Sequence, residues 1–147
     1  MPRLSPKVAF ITGGSRGIGA AIALKLAKDG ADIAITYTSA PDKADATVKA
    51  IETLGRRAIA IKADNLDAKA VESAVHEAHA RLGRLDILVN SAGVYTMDTV
   101  DKLELEEFDR VMSIHVRASF VAAKAAAAFM PAGGRIISIG SNLAEIV

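Results

Sequence analysis

Short apolar runs alternate along the chain with longer stretches of helical period. The strand candidates are Val8–Ile11, Asp32–Tyr37, Ala58–Ile61, Leu85–Val89 and Arg135–Ile139. The first, fourth and fifth are nearly all apolar, the pattern of parallel strands covered on both faces. Ile18, Ile22 and Leu26 mark a first helix that Gly30 would stop. Ala44, Val48, Ile51 and Leu54 mark a second, ended by Gly55, and Val71, Val75, Ala78 and Leu82 a third, ended by Gly83. The fourth spans about Leu105 to Met130, closed by Pro131 and Gly133-Gly134. Its acidic start (Glu104, Glu106, Glu107, Asp109) suits a helix amino terminus, which explains those carboxylates without a catalytic role. Strands alternating with helices over short links predict right-handed crossovers and an α/β, doubly wound parallel sheet.

Composition narrows the class. A chain of 147 residues is one domain's worth, long enough to bury a core. Eighteen Lys and Arg against seventeen Asp and Glu leave a net charge of +1, which argues against an electrostatic grip on nucleic acid. The longest apolar candidate, Ala118 to Met130, is shorter than the ~18 residues that suggest a membrane span and carries Lys124. The first residues hold too few apolar side chains for a signal peptide. With no cysteine there are no disulfides or thiolate metal sites, and a cytoplasmic location without membrane or nucleic-acid partners is expected. His76-Glu77-Ala78-His79 is one residue short of the zinc pattern H-E-x-x-H. No metal site is expected there, and both histidines are expected on the surface of the third helix.

The first turn carries the clearest chemistry. Strand one runs into Thr12-Gly13-Gly14-Ser15-Arg16-Gly17-Ile18-Gly19, which opens helix one. Glycines at 13, 17 and 19 permit a tight turn and a close approach of backbone amides to an anion, which the helix amino terminus favours. The position between a first strand and a first helix is the context a dinucleotide-binding motif requires. The spacing is G-x3-G-x-G and departs from the fingerprint G-x-G-x-x-G.

At this point the sequence resembles the short-chain dehydrogenase/reductases, whose glycine motif TGxxxGxG is matched by Thr12 to Gly19. Their NNAG element after strand four is matched by Asn90-Ser91-Ala92-Gly93, with Ser91 in place of the second asparagine. Their aspartate after strand three is matched by Asp64 in Ala63-Asp64-Asn65. The likeness covers the whole chain in order and is greatest to reductases of 3-oxoacyl thioesters and their sugar, polyol and steroid relatives. It implies a Rossmann-type sheet of five strands in the order 3-2-1-4-5, lacking the family's carboxyl-terminal strands. Ser15, Arg16 and Ile18 would sit with the glycines against the cofactor. Asp64, between Ala63 and Asn65, would hold the adenine amino group. Asn90 would brace the central strands, and Ala92 and Gly93 would pass close to the adenosine ribose. Turn chemistry alone is the other reading of Asn90-Ser91.

An acid at the end of strand two marks NAD-binding members of this architecture. Ile35-Thr36-Tyr37-Thr38-Ser39-Ala40-Pro41 has none before Asp42, so Arg16, Thr38 and Ser39 could hold a 2′-phosphate, with Lys43 nearby. NADP(H) is the expected cofactor and NAD(H) the alternative. A solvated loop position remains the other reading of Arg16.

Resemblance also implies catalysis of carbonyl–alcohol interconversion by a tyrosine acid and a lysine four residues on, with a serine at the tip of strand five. Ser141, in Ile139-Gly140-Ser141, matches that serine; Ser138 is expected to be an ordinary strand residue. The residues four beyond Tyr37 and Tyr95 are Pro41 and Thr99, so the Tyr-x-x-x-Lys pair is absent. His115 stands where relatives often carry a water-holding asparagine. Helical spacing puts it with Phe108, Val111, Ala118 and Ala122, facing inward, where it is either a core histidine or a catalytic group. The chain is therefore expected to be a dinucleotide-binding domain over residues 1–147, cut before the catalytic segment. The plain ending Ala144-Glu145-Ile146-Val147 favours that reading. The alternative is a naturally short, inactive nucleotide-binding or interaction protein. A small-molecule carbonyl or alcohol is the expected substrate. Strand five, with nothing after it, should expose an apolar edge. Ala122 to Phe129 matches the segment relatives use for pairing, which implies a homo-oligomer, dimer or tetramer.

Overall fold

The computed structural model of the chain describes residues 3–142. The closing residues Ala144 to Val147 lie outside them. Five parallel strands form one sheet in the order β3-β2-β1-β4-β5: β1 (Val8–Thr12), β2 (Asp32–Tyr37), β3 (Ala58–Lys62), β4 (Ile87–Asn90) and β5 (Arg135–Ser138). This is the doubly wound order the motifs imply. Helices α1 (Gly17–Lys28) and α2 (Pro41–Thr53) cover one face. Helices α3 (Ala68–Leu82) and α5 (Ala118–Ala127) cover the other. Alternation along β1 sends Val8 and Phe10 to one core and Ala9 and Ile11 to the opposite one. Each fully buried Phe or Ile contributes about 1.5–3 kcal/mol of transfer free energy.

Local signals explain the helix limits. Asp67 caps α3, its Oδ1 accepting the N–H groups of Lys69 and Ala70 at 2.9 and 3.1 Å. Gly83 ends it in the left-handed conformation, at φ 85°. Helix α2 begins with Pro41 at its first turn.

Four details depart from the sequence reading. In α1 the residues against the sheet are Gly19, Ala23 and Ala27, while Ile18 is 63% exposed. Small side chains let this helix lie close to the sheet, and the larger Ile22 and Leu26 flank the contact line. The fourth helix is not uniform: α4 (Leu105–Met112) passes through a π turn, Ser113–Arg117, into α5, which ends at Ala127. The surface histidines of α3 are not simply solvated. His79 stacks on Phe129 at 4.1 Å between ring centres, and His76 meets the same ring edge-on at 5.1 Å. Finally, the apolar pattern of β5 does not correspond to burial. Ile136 and Ile137, on opposite faces, are 48% and 45% exposed, which departs from a strand covered on both faces but agrees with the exposed apolar edge expected of strand five; β4 is its one partner among the described residues.

Two acids anchor the amino-terminal edge of the sheet. Asp86, 1% exposed, accepts the Val8 N–H at 2.9 Å and two guanidinium bonds from Arg84 at 2.7 Å. Asp32 accepts the backbone N–H and Nε of Arg57 at 3.1 and 2.8 Å and pairs with Arg56. Burial pushes both carboxyls upward, but these hydrogen bonds and the neighbouring cations outweigh it and hold both below the ordinary carboxylate range. A depressed folded-state pKa gives stability that is complete above the unfolded value of about 3.9 and is lost as pH falls through the folded value. Calorimetric unfolding is therefore expected to be nearly flat around neutrality and to weaken below about pH 4. Asp86→Ala, which strands the buried Val8 N–H, is expected to cost about 1–3 kcal/mol at neutral pH and to shrink that acid dependence. An unchanged neutral-pH stability would refute the anchoring role.

Candidate active site

The carboxyl ends of the strands are tied to one another by two threonines. Thr12, the last residue of β1, accepts the N–H groups of both Ser91 and Ala92 on its Oγ1 at 3.1 Å. This draws the turn after β4 against the turn after β1. Thr36 in β2 accepts the Gly13 N–H on Oγ1 at 3.1 Å and the Gly14 N–H on its carbonyl at 3.0 Å. Gly13 itself stands at φ 69°, and a Cβ there would lie 2.8 Å from Ala92 Cα. Conformation and space both require glycine. Helix α1 then starts without a side-chain cap and without an acid in its first turn. Its amino-terminal N–H groups and positive dipole end are left to solvent or to an anion.

Around these turns opens a cleft of about 480 Å³, within the roughly 300–1,000 Å³ of small-molecule sites. Gly13, Ser15, Arg16, Ile18 and Gly19 form one side. Thr38 and Ser39 lie beyond the end of β2, Ala63, Asp64 and Asn65 beyond β3, and Ala92 and Gly93 beyond β4. The fold thus brings to one cleft four segments that the sequence singled out separately. Arg16, Thr38 and Ser39 are exposed and no acid lines the cleft beside them. Asp64 Oδ1 accepts the Leu66 N–H at 2.9 Å, and Asn65 Nδ2 donates to the Ile114 carbonyl at 3.2 Å.

Other expected residues lie elsewhere. Gly17 begins α1 and is not part of the lining. Asn90 is buried behind the cleft, where its Nδ2 donates to Ser138 Oγ at 3.3 Å and its carbonyl accepts the Ile139 N–H at 3.0 Å. It ties β4 to β5, and Ser138 is the strand residue the sequence suggested. Asn90 Oδ1 is buried without a hydrogen-bond partner among the described residues. Ser141 is exposed just past β5, on the same edge of the sheet but outside the cleft lining.

His115 does not point into the core. The π turn, with hydrogen bonds reaching five residues back, shifts the helical phase so that Ile114 takes the inward position with Ala118 and Ala122. His115 is exposed instead, and Phe108, expected to share its buried face, is exposed too. The imidazole lies over the Gly93 turn: Nε2 is 2.8 Å from the Val94 carbonyl and 3.1 Å from its N–H, and a Cβ on Gly93 would come within 2.6 Å of the ring.

Several lining residues escaped the sequence reading: Leu66, Val94, Arg110 and Ile114. Arg110 sits on α4, gripped by both Glu107 oxygens at 2.7 and 2.8 Å, and these bonds hold the Glu107 carboxyl below its usual range. The threonines at 12 and 36 gave one signal, a polar residue ending an apolar strand. Arg110 gave none, because its helix reaches the cleft only through tertiary packing.

A glycine turn, an uncapped helix start and a cleft across the carboxyl edge of a 3-2-1-4-5 sheet define a Rossmann-type nucleotide-binding class. A family model described as short chain dehydrogenase matches residues 7–146, and the chain belongs to that family. Elsinochrome reductase 1 of Elsinoe fawcettii is 44% identical over 139 residues, covering 95% of this chain and 52% of that protein. Hydroxynaphthalene reductase of Aspergillus fumigatus is 41% identical over 143 residues, covering 97% and 52%. The crystal structure of a short chain dehydrogenase from Burkholderia cenocepacia in complex with NADP superposes with a TM-score of 0.96 at 53% identity. It covers 99% of this chain and 59% of the other. The chain thus spans about half to three fifths of the length of the relatives it matches. Among the described residues no helix is long and apolar enough to cross a membrane.

Proposed function

We propose that the chain is the cofactor-binding part of an NADP(H)-dependent oxidoreductase that interconverts a carbonyl and an alcohol. The observation that carries this reading is the acid-free cleft end where Arg16, Thr38 and Ser39 converge beside an uncapped helix start. The first-turn amides of α1 suit the pyrophosphate, and the Arg16 guanidinium and two hydroxyls suit a 2′-phosphate. Asp64 keeps a carboxylate oxygen for the adenine amino group, since its Oδ1 is engaged by Leu66. Glycine at 13 and 93 lets the turns after β1 and β4 pack against Ala92 and the His115 ring, which suits a close approach of backbone to the ribose. With the cofactor bound along the cleft, its nicotinamide would supply the hydride in reduction and accept it in oxidation. The complex of the Burkholderia relative with NADP supports the choice of cofactor, and the names of the fungal relatives, an elsinochrome reductase and a hydroxynaphthalene reductase, support a reduction.

Residues 1–147 serve this reaction as its binding half. Ser141, at the carboxyl end of β5, is the group assigned to hydrogen-bond the substrate oxygen. The Tyr-x-x-x-Lys pair is assigned to sequence beyond Val147, in keeping with the share of its relatives that the chain spans. His115 is engaged with Val94 and is assigned a holding role, not proton transfer.

Fluorescence titration is expected to give tighter binding of NADPH than of NADH. Arg16→Ala should weaken NADPH selectively, by about 1–3 kcal/mol, if the guanidinium makes a charge-assisted phosphate contact. Equal affinities, or tighter NADH, would sink the NADP(H) assignment. The purified chain is also expected to oxidise NADPH against a ketone panel at least about 10²–10⁴-fold more slowly than an ordinary reductase, for want of its general acid. Turnover at ordinary rates would show that a residue within the chain replaces the missing pair.

A second copy of the chain is the partner this reading assigns. Phe108, Met112, Val116 and Phe120 form an exposed stripe along one helix face, Phe120 at 65% exposure. The stripe is symmetric about Ile114, so an antiparallel copy would set Phe108 on Phe120 and Met112 on Val116, an isologous contact. Light scattering at high micromolar concentration is expected to show a dimer or larger, and Phe120→Glu to shift it to monomer. A monomeric wild-type chain would contradict this assignment.

A further inference from the structure

Hydrogen bonds leave the π turn in both directions. Towards the loop after β3, Arg117 donates an η-nitrogen to the Leu66 carbonyl at 2.8 Å, and the Ile114 carbonyl accepts Asn65 Nδ2 at 3.2 Å. Towards the loop after β4, His115 Nε2 lies 2.8 Å from the Val94 carbonyl. The turn itself makes the Asn65 contact available. The Ala118 N–H bonds Ser113 O, five residues back, and so does not occupy the Ile114 carbonyl that an α-helix would give it. Asn65, 8% exposed, fills that position.

Leu66 is held at both ends. Its N–H is bonded by Asp64 Oδ1 and its carbonyl by Arg117, so the loop that orients the Asp64 carboxylate is pinned to the helix. Leu66, Asn65, Val94 and Ile114 line the cleft, whereas Arg117 and His115 do not. We infer that the π turn is a strut that sets the spacing of the two cleft walls, and that Arg117 is a positioning residue acting on cofactor affinity from outside the cleft. The inference rests on the reading of the cleft as an NADP(H) site. The physical reason is preorganisation: a wall already held in its bound position loses less conformational freedom when the ligand arrives.

The test uses 2′,5′-ADP, which carries only the adenosine end, alongside NADPH, titrated into the chain below the concentration at which it associates. Arg117→Met is expected to weaken both ligands about three- to tenfold, the effect of one hydrogen bond, with little change in melting temperature. Arg117→Lys, which keeps a donor of the same charge, should recover much of that loss, and Arg117→Gln serves in place of Arg117→Met should the latter aggregate. His115→Ala is expected to weaken both ligands as well, because the Gly93–Val94 turn it holds lies at the adenosine ribose. The double variant should lose less NADPH affinity than the product of the single effects, because both bonds act through one turn. Unchanged 2′,5′-ADP affinity in Arg117→Met, or strictly multiplicative effects in the double variant, overturns the strut while leaving the cofactor reading intact. A wild-type chain that binds neither ligand overturns the cofactor reading, and the strut with it.

Discussion

Backbone N–H groups donating to two threonine hydroxyls hold the site together. Without these hydroxyls three loop amides (Gly13, Ser91 and Ala92) would need other partners, and the turn after β4 would lose its two bonds to the end of β1. Thr36 takes Gly13 on its hydroxyl and Gly14 on its carbonyl, so both glycines depend on the last turn of one strand. The close approach of Gly13 to Ala92 follows from these bonds, and the need for glycine follows from the approach. A hydroxyl suits this place because it accepts two N–H groups at once without adding charge. A carboxylate could accept them as well, but it would set a negative charge beside a helix start suited to anions.

How legible this was depended on how local its causes are. The strands and the helix stops were visible, because apolar runs, caps and glycines act within a few residues of where they lie. Strand β4, expected from Leu85, begins at Ile87. The difference is one of boundary only, because the Asp86 backbone already donates to the Val8 carbonyl and accepts the Arg135 N–H, both at 2.9 Å. In α1 the larger residues suggested the buried stripe. The sheet instead selected the small ones, because closeness to the Gly13 turn matters more there than side-chain volume.

Nothing in Ser113-Ile114-His115-Val116-Arg117 announces a π turn; it holds no Gly or Pro, and its period continues that of the flanking helices. Its partners, Asn65, Leu66 and Val94, are 21 to 51 residues away in sequence. A wider turn sacrifices regular helical geometry and is offset by bonds that only the folded neighbours can make. That is why the reading of His115 failed. It assumed an unbroken helix, and the break is a consequence of the tertiary fold. The same holds for Arg110 and Ile114, which enter the cleft because α4 and the π turn pack across its mouth.

Charge is divided between the two edges of the sheet in a way the net value of +1 conceals. At the amino-terminal edge Asp32 and Asp86 sit buried under arginines, each carboxylate neutralised by cations and bonded to backbone N–H groups. At the carboxyl edge the turns after β1 and β4 are fixed by neutral hydroxyl and carbonyl acceptors, and the one carboxylate engaged in a loop there, Asp64, lies beyond β3. The charged side chains lining the cleft are Arg16, Asp64 and Arg110, with Arg110 gripped by Glu107. If acids like Asp32 and Asp86 had instead anchored the loops, their field would oppose an anionic ligand at the α1 start, within a Debye length of about 10 Å. Strong ionic anchors can be used where no ligand comes, and weaker neutral ones suffice where a phosphate must. Arg117, a charged strut, is consistent with this division: it is a cation, and it grips the loop from the side away from the cleft.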